Sequence, residues 1–153
     1  MNPEVSVIVT AYNHELYVKQ CLQSIFSQTY INIKLLIIND GSKDNTDSVI
    51  KSVINESPFS TTKYINQENR GVCKTRNTGL EWNDSEFVIF VDADDFLDND
   101  FIYKMVRLAE NEKKDIVYCD LYDFENQRTQ IQARPFELRS LLQNNYISNC
   151  SLI

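Results

Sequence analysis

One histidine, three glycines, three prolines and one tryptophan in 153 residues leave little from which to build linkers or a histidine-based active site. With His14 alone, a Ser-His-Asp or Cys-His triad has no second candidate to draw on. The four cysteines, Cys21, Cys73, Cys119 and Cys150, are widely scattered. No CxxC pair and no Cys/His cluster at zinc spacing occurs, so they read as reduced thiols of a cytoplasmic protein. The chain has no internal repeat and no low-complexity stretch. It begins without the basic stretch and apolar core of a signal peptide. No apolar run approaches the roughly 20 residues of a membrane span. Basic residues are also outnumbered: 15 Lys and Arg face 22 Asp and Glu, for a net charge of −7. Bulk electrostatics therefore argue against nucleic acid or an anionic membrane surface as partner. An anionic substrate would need a metal ion, a few placed cations, or a helix N-terminus.

Short apolar runs alternate with amphipathic stretches. Val5-Ser6-Val7-Ile8-Val9-Thr10 is β-branched and largely apolar, as a strand buried on both faces should be. Val18, Cys21, Leu22, Ile25 and Phe26 then recur at helical spacing. Leu35–Ile38 gives a second strand, and Val49, Ile50, Val53 and Ile54 a second helix, with Asp44, Asn45 and Thr46 as cap candidates. A short strand is expected around Lys63-Tyr64-Ile65 and a helix near 74–81. Phe87–Val91 is the clearest strand, followed by a helix carrying Phe101, Ile102, Met105, Leu108 and Ala109. Residues 115–119 suggest a further strand, and 135–143 a helix with Pro135 as its first residue. This alternation predicts a mainly parallel α/β sheet flanked by helices, with ligands at the carboxyl ends of the strands. Thr10, Tyr12, Asn13, Asp40, Gly41, Asp92 and Asp94 all fall on that rim.

Asp92-Ala93-Asp94-Asp95 follows five strand-type apolar residues. Two carboxylates so close resist joint ionisation, and a hard divalent cation, Mn²⁺ or Mg²⁺, would relieve them while leaving positions for phosphate oxygens. Asp94 and Asp92 are the metal-ligand candidates. The same run would also serve as an acidic cap for the helix beginning near Asn99. Asp40 either accepts hydrogen bonds from a base or initiates the Asp-Gly-Ser turn. Tyr12 either offers a face for stacking or fills the core. Arg70, Lys74 and Arg76 either neutralise a pyrophosphate or are surface cations. Gly71 suits close approach of backbone to a ligand, Gly79 a crowded helix, and His14 a helix start.

In register, Ser6-Val7-Ile8-Val9-Thr10-Ala11-Tyr12-Asn13, Ser27-Gln28-Thr29 and Ile38-Asn39-Asp40-Gly41-Ser42-Lys43-Asp44-Asn45-Thr46 resemble the opening of the family 2 glycosyltransferases. Asn69-Arg70-Gly71-Val72, Arg76-Asn77-Thr78-Gly79 and Asp92-Ala93-Asp94-Asp95 continue the series, so that the resemblance covers roughly residues 4–125. It implies a GT-A, Rossmann-like fold that binds a nucleoside-diphosphate sugar, chiefly a UDP-sugar, and transfers the sugar with inversion to the hydroxyl of a glycan or other acceptor. It further implies that Thr10 and Tyr12 line the base pocket, Asp40 accepts from the base, and Arg76 faces the nucleotide or pyrophosphate. Asp92 would lie near the ribose or sugar and Asp94 would be the main metal ligand.

On this reading residues 1–125 form the nucleotide-sugar-binding region and 126–153 an incomplete start of the acceptor side. The family's later carboxylate base has no match: beyond Asp123-Phe124-Glu125-Asn126 the one acidic residue is Glu137. Tyr146–Ile153 reads as a strand cut off in mid-element, which suggests a chain truncated at its C-terminus. A non-catalytic nucleotide-binding or interaction module of the same fold is the alternative. A Mg²⁺-dependent phosphotransfer or receiver domain fits less well, because its carboxylates should end the first strand, where Thr10-Ala11-Tyr12-Asn13 stands.

Overall fold

A computed structural model describes residues 2–124 and 129–153. Four parallel strands, β1 (Val5–Ala11), β2 (Ile33–Asn39), β3 (Thr61–Asn66) and β4 (Phe87–Asp92), form one sheet in the order β3-β2-β1-β4. β1 is central and in register with both neighbours, Val5 opposite Ile33 on one side and Phe87 on the other. Every residue of β1 is buried, because helices cover both faces. Side chains alternate across the sheet. Val5, Val7, Val9, Leu35, Ile37, Ile89 and Val91 pack with helices α1 (Val18–Phe26), α2 (Thr46–Val53) and α4 (Phe101–Glu112). Ile8, Leu36, Ile38, Val88 and Phe90 form a smaller cluster on the other face. There α3 (Val72–Trp82) supplies Trp82, and its Gly79 lies against Ile8, with Cγ2 of Ile8 2.6 Å from where a Cβ would stand.

The first four strands and four helices lie where the apolar pattern puts them, with ends shifted by at most three residues. The C-terminal quarter differs. In the expected strand 115–119 only Val117 pairs, through one antiparallel bridge to Leu152. Leu152 also bridges Ile89, and Ile153 exchanges backbone hydrogen bonds with Val88, so the chain end pairs with the edge of β4. β5 (Leu121–Asp123) and β6 (Thr129–Ile131) form an antiparallel hairpin that the pattern did not suggest. The expected boundary at Glu125 and Asn126 lies outside the described residues. The last helix, α5 (Leu138–Gln143), begins three residues after Pro135. Glu137 caps it, accepting from the backbone N–H of Arg139 (3.1 Å) and Ser140 (2.8 Å). Two charge-assisted bonds to otherwise orphaned donors fix the start there. Among the described residues no helix is long and apolar enough to cross a membrane.

Candidate functional site

β1, β2 and β4 end side by side, and the loops beyond them enclose a cleft of about 470 Å³ lined by Thr10, Tyr12, His14, Asp40, Gly71, Asp92 and Asp94 among others. Backbone polar groups in such loops need partners, and here the first two loops supply them to each other. Asn13 takes a left-handed conformation (φ 59°), tolerated by its short polar side chain. Its N–H donates to Ser42 Oγ (2.9 Å), and its Oδ1 accepts from the Lys43 N–H (2.7 Å). The His14 N–H donates to the buried Thr46 Oγ1 (2.8 Å), and the Glu15 N–H to Asp44 Oδ2 (3.1 Å). The rim is thus clamped before any ligand arrives.

Asp40 is 4% exposed, and its carboxylate serves the third loop. Oδ1 accepts from Gln67 Nε2 (2.7 Å) and the Arg70 N–H (2.9 Å), and Oδ2 from the Gly71 N–H (2.9 Å). Burial pushes the carboxyl up, but these hydrogen bonds, led by Gln67 and the Arg70 N–H, outweigh it and hold Asp40 below the usual carboxylate range. The Thr75 side chain adds a further hydrogen bond, so the acceptor positions of this carboxylate are largely occupied within the protein. Gly71 has φ 82°, and nothing lies within 4 Å of the place a Cβ would take, so its backbone is open to the cleft. Gly41 (φ 71°) is the tight one: a Cβ there would stand 2.6 Å from the Asn69 backbone nitrogen. Tyr12 is 44% exposed, which removes the core-filler reading and leaves its ring free to stack.

The three aspartates of the acidic run differ. Arg76 Nη2 donates to both oxygens of Asp92 (2.8 and 3.0 Å), Thr10 Oγ1 to Oδ1 (3.0 Å) and Asn149 Nδ2 to Oδ2 (3.1 Å). All four acceptor positions of Asp92 are therefore used. Arg76, expected to face the nucleotide or pyrophosphate, lies on Asp92, with a second contact to Asn149 Oδ1 (3.3 Å). The Arg76 guanidinium is thus one cation that offsets the charge of this acidic run, beside any metal ion. The acidic run does not cap α4 either, since the N-cap of that helix is Asp100. Asp94 stands apart: its side chain is 54% exposed, and its polar contact among the described residues is the ring of His14, Nδ1 to Oδ1 3.7 Å. Asp95 is exposed as a residue, yet desolvation of its carboxyl raises it, with Asp94 and Asp92 adding like charge and the Cys150 thiol (Sγ to Oδ2 3.5 Å) opposing.

An open carboxylate on an acidic rim fits a hard divalent cation that brings its remaining ligands with it as phosphate oxygens and water. Among the described residues no three His, Cys, Asp or Glu side chains converge into a metal cage, so the protein alone provides only part of a coordination shell. Sequence reasoning placed Thr10, Tyr12, Asp40, Asp92 and Asp94 on one rim, and the structure brings them together. It missed Gln67, Asn149 and the placement of His14 beside Asp94. Gln67 is adjacent in sequence to the Asn69-Arg70-Gly71 turn, but nothing local marks Asn149, which reaches Asp92 across 57 residues.

The chain matches the family model described as "Glycosyl transferase family 2" over residues 6–150. It is 39% identical over 119 residues to "Putative glycosyltransferase EpsH" of Bacillus subtilis (strain 168), covering 77% of this chain and 33% of that protein. It is 36% identical over 124 residues to "Glycosyltransferase GlyA" of Streptococcus pneumoniae serotype 4, covering 81% of this chain and 18% of the relative. The chain therefore spans a third or less of these two relatives. Among solved structures, S. aureus TarS 1-349 in complex with UDP superposes with a TM-score of 0.68 at 26% identity, over 77% of this chain and 35% of that one. Mannosyltransferase PcManGT from Pyrobaculum calidifontis, in complex with GDP-Man and Mn²⁺, is alike in fold, with a TM-score of 0.73 at 24% identity, over 82% of this chain and 37% of that one.

Proposed function

This chain belongs to glycosyltransferase family 2 and has its GT-A fold, and from that premise we propose that it is the donor-binding part of an inverting, cytoplasmic glycosyltransferase. It takes a nucleoside-diphosphate sugar, a UDP-sugar by preference, and the sugar passes to the hydroxyl of a glycan or other acceptor. The observation that carries this reading is the convergence of Tyr12, Asp40 and Asp94 on one cleft at the carboxyl edge of the sheet. Tyr12 stacks on the base, and Asp40 takes a base N–H. Thr10, Asp92 and Arg76 form a hydrogen-bonded floor beneath the ribose and sugar, its charges paired within the protein. Asp94 is the principal ligand of Mn²⁺ or Mg²⁺, with Asp92 beside it fixing the geometry of the turn. The divalent ion, when bound, neutralises the charge that develops on the departing diphosphate. Inversion requires in-line attack by the acceptor hydroxyl, with a carboxylate taking its proton.

A second reading is a module that binds a donor without turning it over, in which Glu137 does not serve as the acceptor base. This is the one acidic residue after Glu125, and its carboxylate is spent on capping α5. Thermal unfolding separates binding from its absence. UDP with Mn²⁺ at about 100 times its dissociation constant should add about 2.7 kcal/mol of stability, and EDTA or Asp94→Asn should abolish the gain. No shift with any nucleoside diphosphate would sink the donor-site reading. Release of UDP from UDP-sugars by this chain, assayed separately, distinguishes the enzyme from the module.

A further inference from the structure

His14 Nδ1 is buried and has no hydrogen-bond partner, an arrangement that folded proteins normally avoid. The residue around it is not loosely held. Its N–H is fixed by Thr46 Oγ1, its carbonyl accepts from the Val18 N–H (2.9 Å) at the start of α1, and the left-handed Asn13 sets the turn that carries it. The ring lines the cleft, and Nδ1 lies 3.7 Å from Asp94 Oδ1. That separation is too long for a hydrogen bond. It is short enough for one ion to touch both atoms, because two ligands each about 2.0–2.2 Å from a common ion lie at most about 4.4 Å apart.

Resting on the reading of the cleft as a metal-assisted donor site, we propose that His14 Nδ1 is the second protein ligand of the divalent ion, beside Asp94. The coordination shell is then one carboxylate oxygen, one imidazole nitrogen, and oxygens of the diphosphate and water. A nitrogen donor makes the site selective. Mg²⁺ takes oxygen ligands, whereas first-row transition ions accept imidazole, Mn²⁺ least strongly among them, so His14 tilts the site away from Mg²⁺ and towards those ions. It also accounts for the orphaned nitrogen, whose partner is the ion.

His14 is the only histidine in the chain, so the test is free of ambiguity. Calorimetry first establishes that the intact chain binds Mn²⁺ together with UDP. Pulsed electron paramagnetic resonance on that complex should then show coupling from a directly bound imidazole ¹⁴N, replaced by a ¹⁵N pattern when histidine alone is labelled. His14→Asn and His14→Ala, each checked for native circular dichroism, should weaken Mn²⁺ binding in the presence of UDP by roughly tenfold or more. Mg²⁺ binding should change by less than about threefold, because Mg²⁺ gains little from a nitrogen donor. Tight Mn²⁺–UDP binding without nitrogen coupling would overturn the role of His14 while the donor reading stands. Equal loss for both ions in the variants would overturn the selectivity. Absence of Mn²⁺–UDP binding to the unaltered chain would remove both readings at once.

Discussion

Replacing Asp40 by asparagine exchanges one carboxylate oxygen for an NH₂ group and tests how the cleft is held open. In the native chain Oδ1 receives Gln67 Nε2 and the Arg70 N–H, while Oδ2 receives the Gly71 N–H. Asparagine can keep the first pair with its carbonyl oxygen, but its amide nitrogen then faces the Gly71 N–H, donor against donor, at a buried position. A lost hydrogen bond to a charged group costs about 1.5–3 kcal/mol. At about 2–4 °C per kcal/mol for a domain of this size, the melting temperature should fall by roughly 3–12 °C at pH 7. The pH dependence carries a sign. The folded Asp40 carboxyl lies below its ordinary value, so the ionised form contributes stability that is complete above about pH 5. This contribution drains away as pH falls through the unfolded value near 3.9 towards the folded one. The gap between wild type and variant, followed by circular dichroism melts, should be constant from about pH 5 to 8 and narrow below about pH 4. A variant within about 1 °C of wild type at pH 7, or a gap that widens on acidification, would refute the reasoning.

Gly41→Ala should be worse than Gly71→Ala, because the first meets the Asn69 backbone at 2.6 Å and the second meets open space at a similar positive φ. Comparative melts should place the Gly41 variant lower by about 1–3 kcal/mol. Arg76→Met removes the main partner of a partly exposed Asp92 and should cost about 1–3 kcal/mol, part of it recovered in the Arg76→Met/Asp92→Asn double variant. A double-mutant cycle with no coupling would contradict the pairing described above. Thiol titration of the native chain should give one fast group, the exposed Cys73. Cys21 and Cys150 should stay silent until unfolding, since both are buried and burial, with Asp95 foremost among the nearby acids, holds both thiols protonated.

The central sheet was readable because β1, β2 and β4 are largely apolar runs that end in polar residues, and burial on both faces favours that pattern. Strand ends in turn located Thr10, Asp40 and Asp92. The last forty residues were not readable in the same way. Val117 and Leu152 pair with each other and Leu152 with Ile89, contacts that no local periodicity encodes. Pro135 looked like a helix start, yet Glu137 with two backbone donors to satisfy took that place. At the site, residue types were legible but their partners were not. The pairing of Arg76 with Asp92 has no local signal, and His14, legible as a helix-start residue, also sets an unpartnered nitrogen beside Asp94.

The most direct measurement is a crystal structure of the chain soaked with UDP and Mn²⁺, with the metal located by its anomalous scattering. The account predicts an anomalous peak about 2.0–2.2 Å from an oxygen of Asp94, bridging to the diphosphate, with uracil against Tyr12 and a base N–H on Asp40. A metal peak away from Asp94, or UDP bound outside the cleft between Tyr12 and Gly71, would contradict it.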